Sequence, residues 1–291
     1  MSYKMFTAMV TPYDADLQIN LDMAGELAQY LIDRGTDGIV VSGTTGESPV
    51  LSKSEKLQLF RQVKAVVGDQ AEVWAGTGSY NTQETIELSR EAEKLGMNGL
   101  LLVVPYYNKP SQEGLYQHYK TIAASVSLPI MLYNIPGRTG INMLPETVAR
   151  LAEFDNVVAL KESTGIMDQM SALKNILPEK VAIYSGDDSQ TLPMLSLGAQ
   201  GVVSIASHLV GPQIKQMLDA FALGDVKGAQ SMHNHLFAMF KGLFITTNPV
   251  PVKQALSLIG IKVGGVRLPM CDANEGEINQ LKQLLNNYGL L

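Results

Sequence analysis

Short apolar runs rich in Val, Ile and Leu alternate along this chain with longer segments whose apolar positions recur at helical spacing. Such alternation marks strands buried on both faces of a parallel sheet, each followed by a covering helix. Eight runs read as strands: Phe6–Thr11, Gly38–Gly43, Val73–Thr77, Gly99–Pro105, Pro129–Asn134, Val157–Ser163, Val181–Gly186 and Gly201–Ala206. The intervals predict helices over Asp22–Arg34, Lys53–Val67, Thr82–Leu95, Gln112–Ser125, Pro145–Glu153, Met167–Leu177 and Gln190–Leu197. Three of these close on the same step, Gly35-Thr36-Asp37-Gly38, Gly96-Met97-Asn98-Gly99 and Gly198-Ala199-Gln200-Gly201, whose first glycine supplies a left-handed helix cap.

Beyond Gly211 the helical period continues without strands through Pro212–Leu223, Val226–Phe244, Pro249–Leu258 and Asn274–Tyr288. Eight strand-plus-helix units within 291 residues predict an α/β fold, a (β/α)8 TIM barrel over residues 1–224. An open doubly wound sheet is the alternative that periodicity alone leaves standing. Residues 225–291 form a C-terminal helical appendage, and with no low-complexity linker between the parts the expectation is one structural unit.

Composition narrows the classes. With 46% hydrophobic and 17% charged residues the chain has ample material for a core and lacks the signature of disorder. A net charge of -6 without any long Lys/Arg run argues against nucleic acid and anionic membrane as partners. Neither a signal-peptide h-region nor a membrane-length apolar stretch is found, the longest lying near Leu100–Pro105, so a cytoplasmic protein is expected. The single Cys271 fits a reducing compartment and reads as a packing or surface thiol.

In a barrel of this kind the chemistry sits at the C-terminal ends of the strands. Lys161 ends the apolar run Val157-Val158-Ala159-Leu160; burial there lowers an amine's pKa and makes it a nucleophile toward carbonyls, while the neighbouring Glu162 offers a plain ion-pair partner. Tyr133 ends the preceding strand, where its phenol can move protons for that amine, or simply pack. Gly43-Thr44-Thr45-Gly46-Glu47-Ser48 presents backbone amides and two hydroxyls to an anion such as a carboxylate, unless Glu47 folds back onto those amides itself. It has neither the GxGxxG spacing nor the P-loop lysine. Arg138, after the fifth strand, can clamp a second carboxylate or form a surface salt bridge. Tyr106 and Tyr107 are adjacent, so at most one should face the site. His118, His208, His233 and His235 are scattered without metal-ligand spacing, and no metal is expected.

Taken together, Gly43–Ser48, Tyr106–Gly114, Tyr133–Gly140, Leu160-Lys161-Glu162 and Ser185-Gly186-Asp187-Asp188 closely resemble the dihydrodipicolinate synthase family of pyruvate-dependent class I aldolases, which includes N-acetylneuraminate lyase. The resemblance covers essentially the whole chain. It implies Lys161 as the Schiff-base lysine and Thr44, Tyr133 and Tyr107 as a proton relay, with Tyr107 entering from a neighbouring subunit. It further implies Thr45 for the pyruvate carboxylate, Gly186 and Val203 as pocket lining, and Arg138 for the carboxylate of aspartate 4-semialdehyde. Arg138 is the residue that favours the synthase over sialic acid lyases. No cofactor is implied, and a homo-oligomer, a dimer of dimers, is.

Members inhibited by lysine carry an allosteric cleft whose pattern Ser48, Glu84 and Tyr106 match. Pro49, Lys53, Lys56 and Tyr80 depart from it, and added cations repel a cationic effector, so weak or absent lysine inhibition is expected. Two rival functions stand beside the synthase: a pyruvate aldolase acting on a sugar acid or hydroxy-keto acid, and a non-catalytic barrel that binds keto acids.

Overall fold

The structure, a computed structural model, describes residues 3–291. Eight parallel strands form a closed barrel in chain order: β1 (Lys4–Ala8), β2 (Gly38–Val41), β3 (Glu72–Gly76), β4 (Gly99–Val103), β5 (Ile130–Asn134), β6 (Val157–Glu162), β7 (Ala182–Ser185) and β8 (Gly201–Ser204). The barrel reading of the sequence is borne out and the open sheet is not. All eight strands fall at the expected runs, and all but β5 end earlier than the apolar pattern does. In β2 the cause is visible. Ser42 adopts a left-handed backbone with φ of 58°, which takes the chain off the ladder before Gly43.

Between the strands lie α1 (Leu21–Asp33), α2 (Lys53–Val67), α3 (Thr82–Lys94), α4 (Gln112–Ala123), α5 (Pro136–Thr139), α6 (Pro145–Leu151), α7 (Met167–Ile176) and α8 (Thr191–Ser196). After β8 come α9 (Ser207–Ala222), α10 (Val226–Gly242), α11 (Val250–Leu258) and α12 (Glu275–Asn287). Side-chain caps fix many helix starts: Asn20 accepts from Met23 N–H, Ser111 from Gly114 N–H, and Ser52 with Glu55 and Asn274 with Glu277 close capping boxes. Gly35, Gly96 and Gly198 all take positive φ after α1, α3 and α8, as their repeated step predicts. Helix α9 starts at Ser207 rather than at Pro212 because two helical segments join across Val210, whose φ of -123° breaks the helix just ahead of the proline.

The chain forms two compact units, one running up to Glu72 and resuming over Ser204–Leu291, the other spanning Val73–Val203. In the second unit the register runs unbroken past the candidate lysine, pairing Val103 with Tyr133, Tyr133 with Lys161, and Lys161 with Tyr184. Among the described residues no helix is long and apolar enough to cross a membrane. Cys271 is an exposed free thiol.

Candidate active site

Within the Val73–Val203 unit, β6 delivers Lys161 at the end of a strand whose other residues are apolar up to that point. Its side chain is buried at 5% exposure, and its Nζ lies 4.3 Å from the centre of the Tyr133 ring. Desolvation lowers the Lys161 pKa to about 8; the Asp188 carboxylate works against that shift and the Arg138 guanidinium adds to it. Roughly a tenth of the amine is therefore neutral at pH 7, far more than for a lysine in water. Gly186 makes room for this side chain: a Cβ there would stand 2.9 Å from Lys161 Cε and overlap the Ser163 hydroxyl. Val203, in β8, is fully buried.

Glu162 is not the partner of Lys161. Side chains alternate along a strand, and Glu162 shares its face with its register partner Asn134. There Glu162 Oε2 accepts from Asn134 Nδ2 at 3.1 Å and Gln169 Nε2 at 3.2 Å, and Oε1 accepts from Thr164 N–H at 2.6 Å. Arg138 lies exposed on α5, a one-turn helix entered through Pro136 and closed by Gly140 in the left-handed region. The apolar pattern gave no sign of this turn.

The two adjacent tyrosines part company. Tyr106 is half-buried and meets Tyr80 edge-on, with ring centres 5.2 Å apart, and burial raises its pKa, helped by Tyr80 and Glu84. Tyr107 is 91% exposed and sits at φ of 69°, a left-handed conformation costly for a bulky residue.

The other unit carries the turn after β2. Thr45 is buried, and its Oγ1 accepts from Asn248 Nδ2 at 3.1 Å. Thr44 is half-buried beside it. Glu47 does not fold back onto the turn amides. It is fully buried, its Oε1 accepting from Lys253 Nζ at 2.9 Å and its Oε2 from Arg267 N–H at 3.0 Å. Lys253 also donates to the Thr11 carbonyl, and Thr11 Oγ1 donates to the Gly46 carbonyl, so the ion pair is tied to the turn itself. Ser48 and Pro49 lie in a short 3-10 turn, Ser48–Val50, that follows, and Lys53 is the first residue of α2.

A model of the dihydrodipicolinate synthetase family matches residues 1–288. The chain belongs to the dihydrodipicolinate synthetase family. It is 59% identical, over 99% of its length and 98% of the other's, to a 4-hydroxy-tetrahydrodipicolinate synthase of Desulforamulus reducens. Among solved structures it is similar to the enzyme of Cyanidioschyzon merolae with lysine bound, at 46% identity, 99% coverage of both chains and a TM-score of 0.98. It is likewise similar to the chloride-inhibited dihydrodipicolinate synthase of Acinetobacter baumannii complexed with pyruvate, at 38% identity, 100% coverage of both chains and a TM-score of 0.97.

For a dihydrodipicolinate synthetase family chain, several residues of consequence lack any local mark in the sequence. Asn248 and Lys253 reach Thr45 and Glu47 across more than 200 positions. Asp188, by contrast, lies in one of the segments that carry the family resemblance, and its charge acts on Lys161. Gln169 and Asn142 look like ordinary polar positions until Glu162 is seen to collect them.

Proposed function

We propose that this chain is a lyase that condenses pyruvate with L-aspartate 4-semialdehyde, through a Schiff base on Lys161, to give 4-hydroxy-tetrahydrodipicolinate for lysine and diaminopimelate biosynthesis. The observation that carries this reading is a desolvated amine, its pKa lowered to about 8, against a phenol ring in a chain that the family model matches over residues 1–288.

The neutral Lys161 amine adds to the keto carbon of pyruvate, and the carbinolamine loses water to give a protonated imine. That imine is the electron sink: loss of a methyl proton leaves an enamine, whose carbon attacks the aldehyde of the semialdehyde. The amine of the adduct then displaces Lys161 and closes the ring, so the enzyme is regenerated and no cofactor is consumed.

Tyr133, Thr44 and Tyr107 of a second copy of the chain serve as the proton relay. The exposure and strained backbone of Tyr107 support a residue held out for a partner subunit. Thr45 holds the pyruvate carboxylate, Gly186 and Val203 line the pocket, and Arg138 receives the carboxylate of the second substrate. A dimer of dimers and a cytoplasmic location go with this reading.

Treatment with borohydride and pyruvate tests it. A stable adduct on Lys161, with turnover of pyruvate plus aspartate semialdehyde in preference to sugar aldehydes, is expected. Full activity with Lys161 unmodified would overturn the assignment, and preference for a sugar aldehyde would favour the rival aldolase.

A further inference from the structure

Directly behind Lys161 and Tyr133, on the opposite face of β5 and β6, lies a set of one carboxylate and three amides: Glu162, Asn134 and Gln169, all buried, and the half-buried Asn142. Its hydrogen bonds follow from one fact, that a carboxylate only accepts. Asn134 and Gln169 must both turn their NH2 groups toward Glu162 Oε2. That leaves Asn134 Oδ1 to accept from Met143 N–H at 3.0 Å, and Gln169 Oε1 to accept from Asn142 Nδ2 at 2.7 Å. With its amide so oriented, Asn142 Oδ1 accepts from Asn134 Nδ2 at 2.8 Å and Gln169 Nε2 at 3.2 Å. Glu162 and the Met143 backbone, which donates to Asn134 Oδ1 and accepts from Asn134 Nδ2 and Gln169 Nε2, together set these orientations.

Asn142 and Met143 end the segment that leaves β5 at Asn134 and carries Arg138 on α5. Lys161 itself has another source of order, because ladder pairing to Tyr133 on one side and Tyr184 on the other fixes its backbone, and the Gly186 N–H donates to the Glu162 carbonyl. The network therefore holds the Arg138 segment, while the strands hold the lysine.

We propose that Glu162 is a positioning residue that, through Asn134, Asn142 and Gln169, sets the place of Arg138 for the second substrate. This rests on the reading that Arg138 receives the carboxylate of the semialdehyde. Glu162→Gln is the sharp test: in either orientation its NH2 group faces a donor, Thr164 N–H or the amides of Asn134 and Gln169. Asn142→Ser is the second variant: it takes the Asn142 amide out of the network and weakens the hold on the segment, which Met143 N–H still ties to Asn134 Oδ1, without altering the neighbour of Lys161.

Three quantities are measured on the full-length enzyme: deuterium exchange into the pyruvate methyl group, kcat, and KM for the semialdehyde. Both variants are expected to raise that KM about tenfold while methyl exchange stays within about twofold of the parent. A merely structural role would lower exchange and condensation alike, and that result overturns the proposal. Should Glu162→Gln fail to fold, Asn142→Ser decides alone. Arg138→Ala is run alongside: an unchanged semialdehyde KM there overturns the Arg138 reading and this proposal with it. A raised KM in Arg138→Ala with an unchanged one in the other variants overturns the positioning role only.

Discussion

Tyr133 and Lys161 are register partners on adjacent parallel strands, and the Lys161 nitrogen lies 4.3 Å from the centre of the tyrosine ring. Parallel pairing puts paired side chains on the same face of the sheet, so the strand ladder alone brings amine and phenol together. A phenol placed there can give and take the protons that imine formation moves. Tyr133→Phe keeps the ring that packs on Lys161 and removes only the hydroxyl. We expect kcat to fall about 100-fold or more with folding unchanged, checked by condensation rate alongside thermal unfolding.

Burying the Lys161 amine costs stability. Its folded pKa of about 8 lies below the 10.5 of an unperturbed lysine, so between those values the unfolded chain binds more protons and stability rises with pH. Below pH 8 the full cost of burying the ammonium is felt, about 3 kcal/mol. Lys161→Met should abolish pyruvate adduct formation, raise stability at pH 7 by an amount of that order, and flatten the stability profile between pH 8 and 10.5. Urea unfolding of both proteins across that range checks it. Adduct formation by the parent enzyme should in turn speed up as pH rises toward 8, where more of the amine is neutral.

How much of this was legible in the sequence depends on whether a residue's neighbours are local. Lys161 and Tyr133 could be read because each ends an apolar run, and parallel pairing of consecutive strands does the rest. The alternative of Glu162 as an ion-pair partner for Lys161 falls because the period of two that defines a strand sends it to the opposite face. Strand ends ran too long because residues such as Gly43 stay apolar or small after Ser42 has already turned the chain away. Asn248 and Lys253 could not be placed at all, since their contacts with Thr45 and Glu47 exist only once the chain has folded.

That distant pairing gives its own prediction. Lys253 and Glu47 form an ion pair with side chains 2% and 0% exposed, and Lys253 further stacks its charge 4.1 Å from the Tyr13 ring centre. Removing one member of such a pair strands the other charge out of water. Lys253→Met should lose about 3 to 5 kcal/mol of stability in denaturant unfolding. Adding Glu47→Gln should recover part of it, because the stranded charge is then gone.

For regulation, the departures at Pro49, Lys53, Lys56 and Tyr80 point to weak lysine control. Tyr80 puts a ring edge-on against Tyr106. We expect lysine to leave most activity in place at sub-millimolar concentration. Half-inhibition in that range, in an assay run with saturating pyruvate, would overturn this expectation.

We expect buried His208 to make the fold sensitive to acid. It is fully buried; Val10 N–H donates to its Nε2 at 3.3 Å, which leaves the proton on Nδ1, 2.8 Å from the Ile205 carbonyl. A second proton on Nε2 would face the Val10 N–H donor, and desolvation by burial lowers the pKa to about 4. Because the folded value lies below the unfolded 6.5, the unfolded chain takes up the proton first, and stability is lost as pH falls from 6.5 toward 4. The loss from this one group reaches about 3 kcal/mol. His208→Gln keeps an acceptor for Val10 N–H and cannot be protonated, so its denaturation midpoint should fall less steeply over that interval than the parent's. Equal slopes for the two proteins would show that His208 does not set the acid limit.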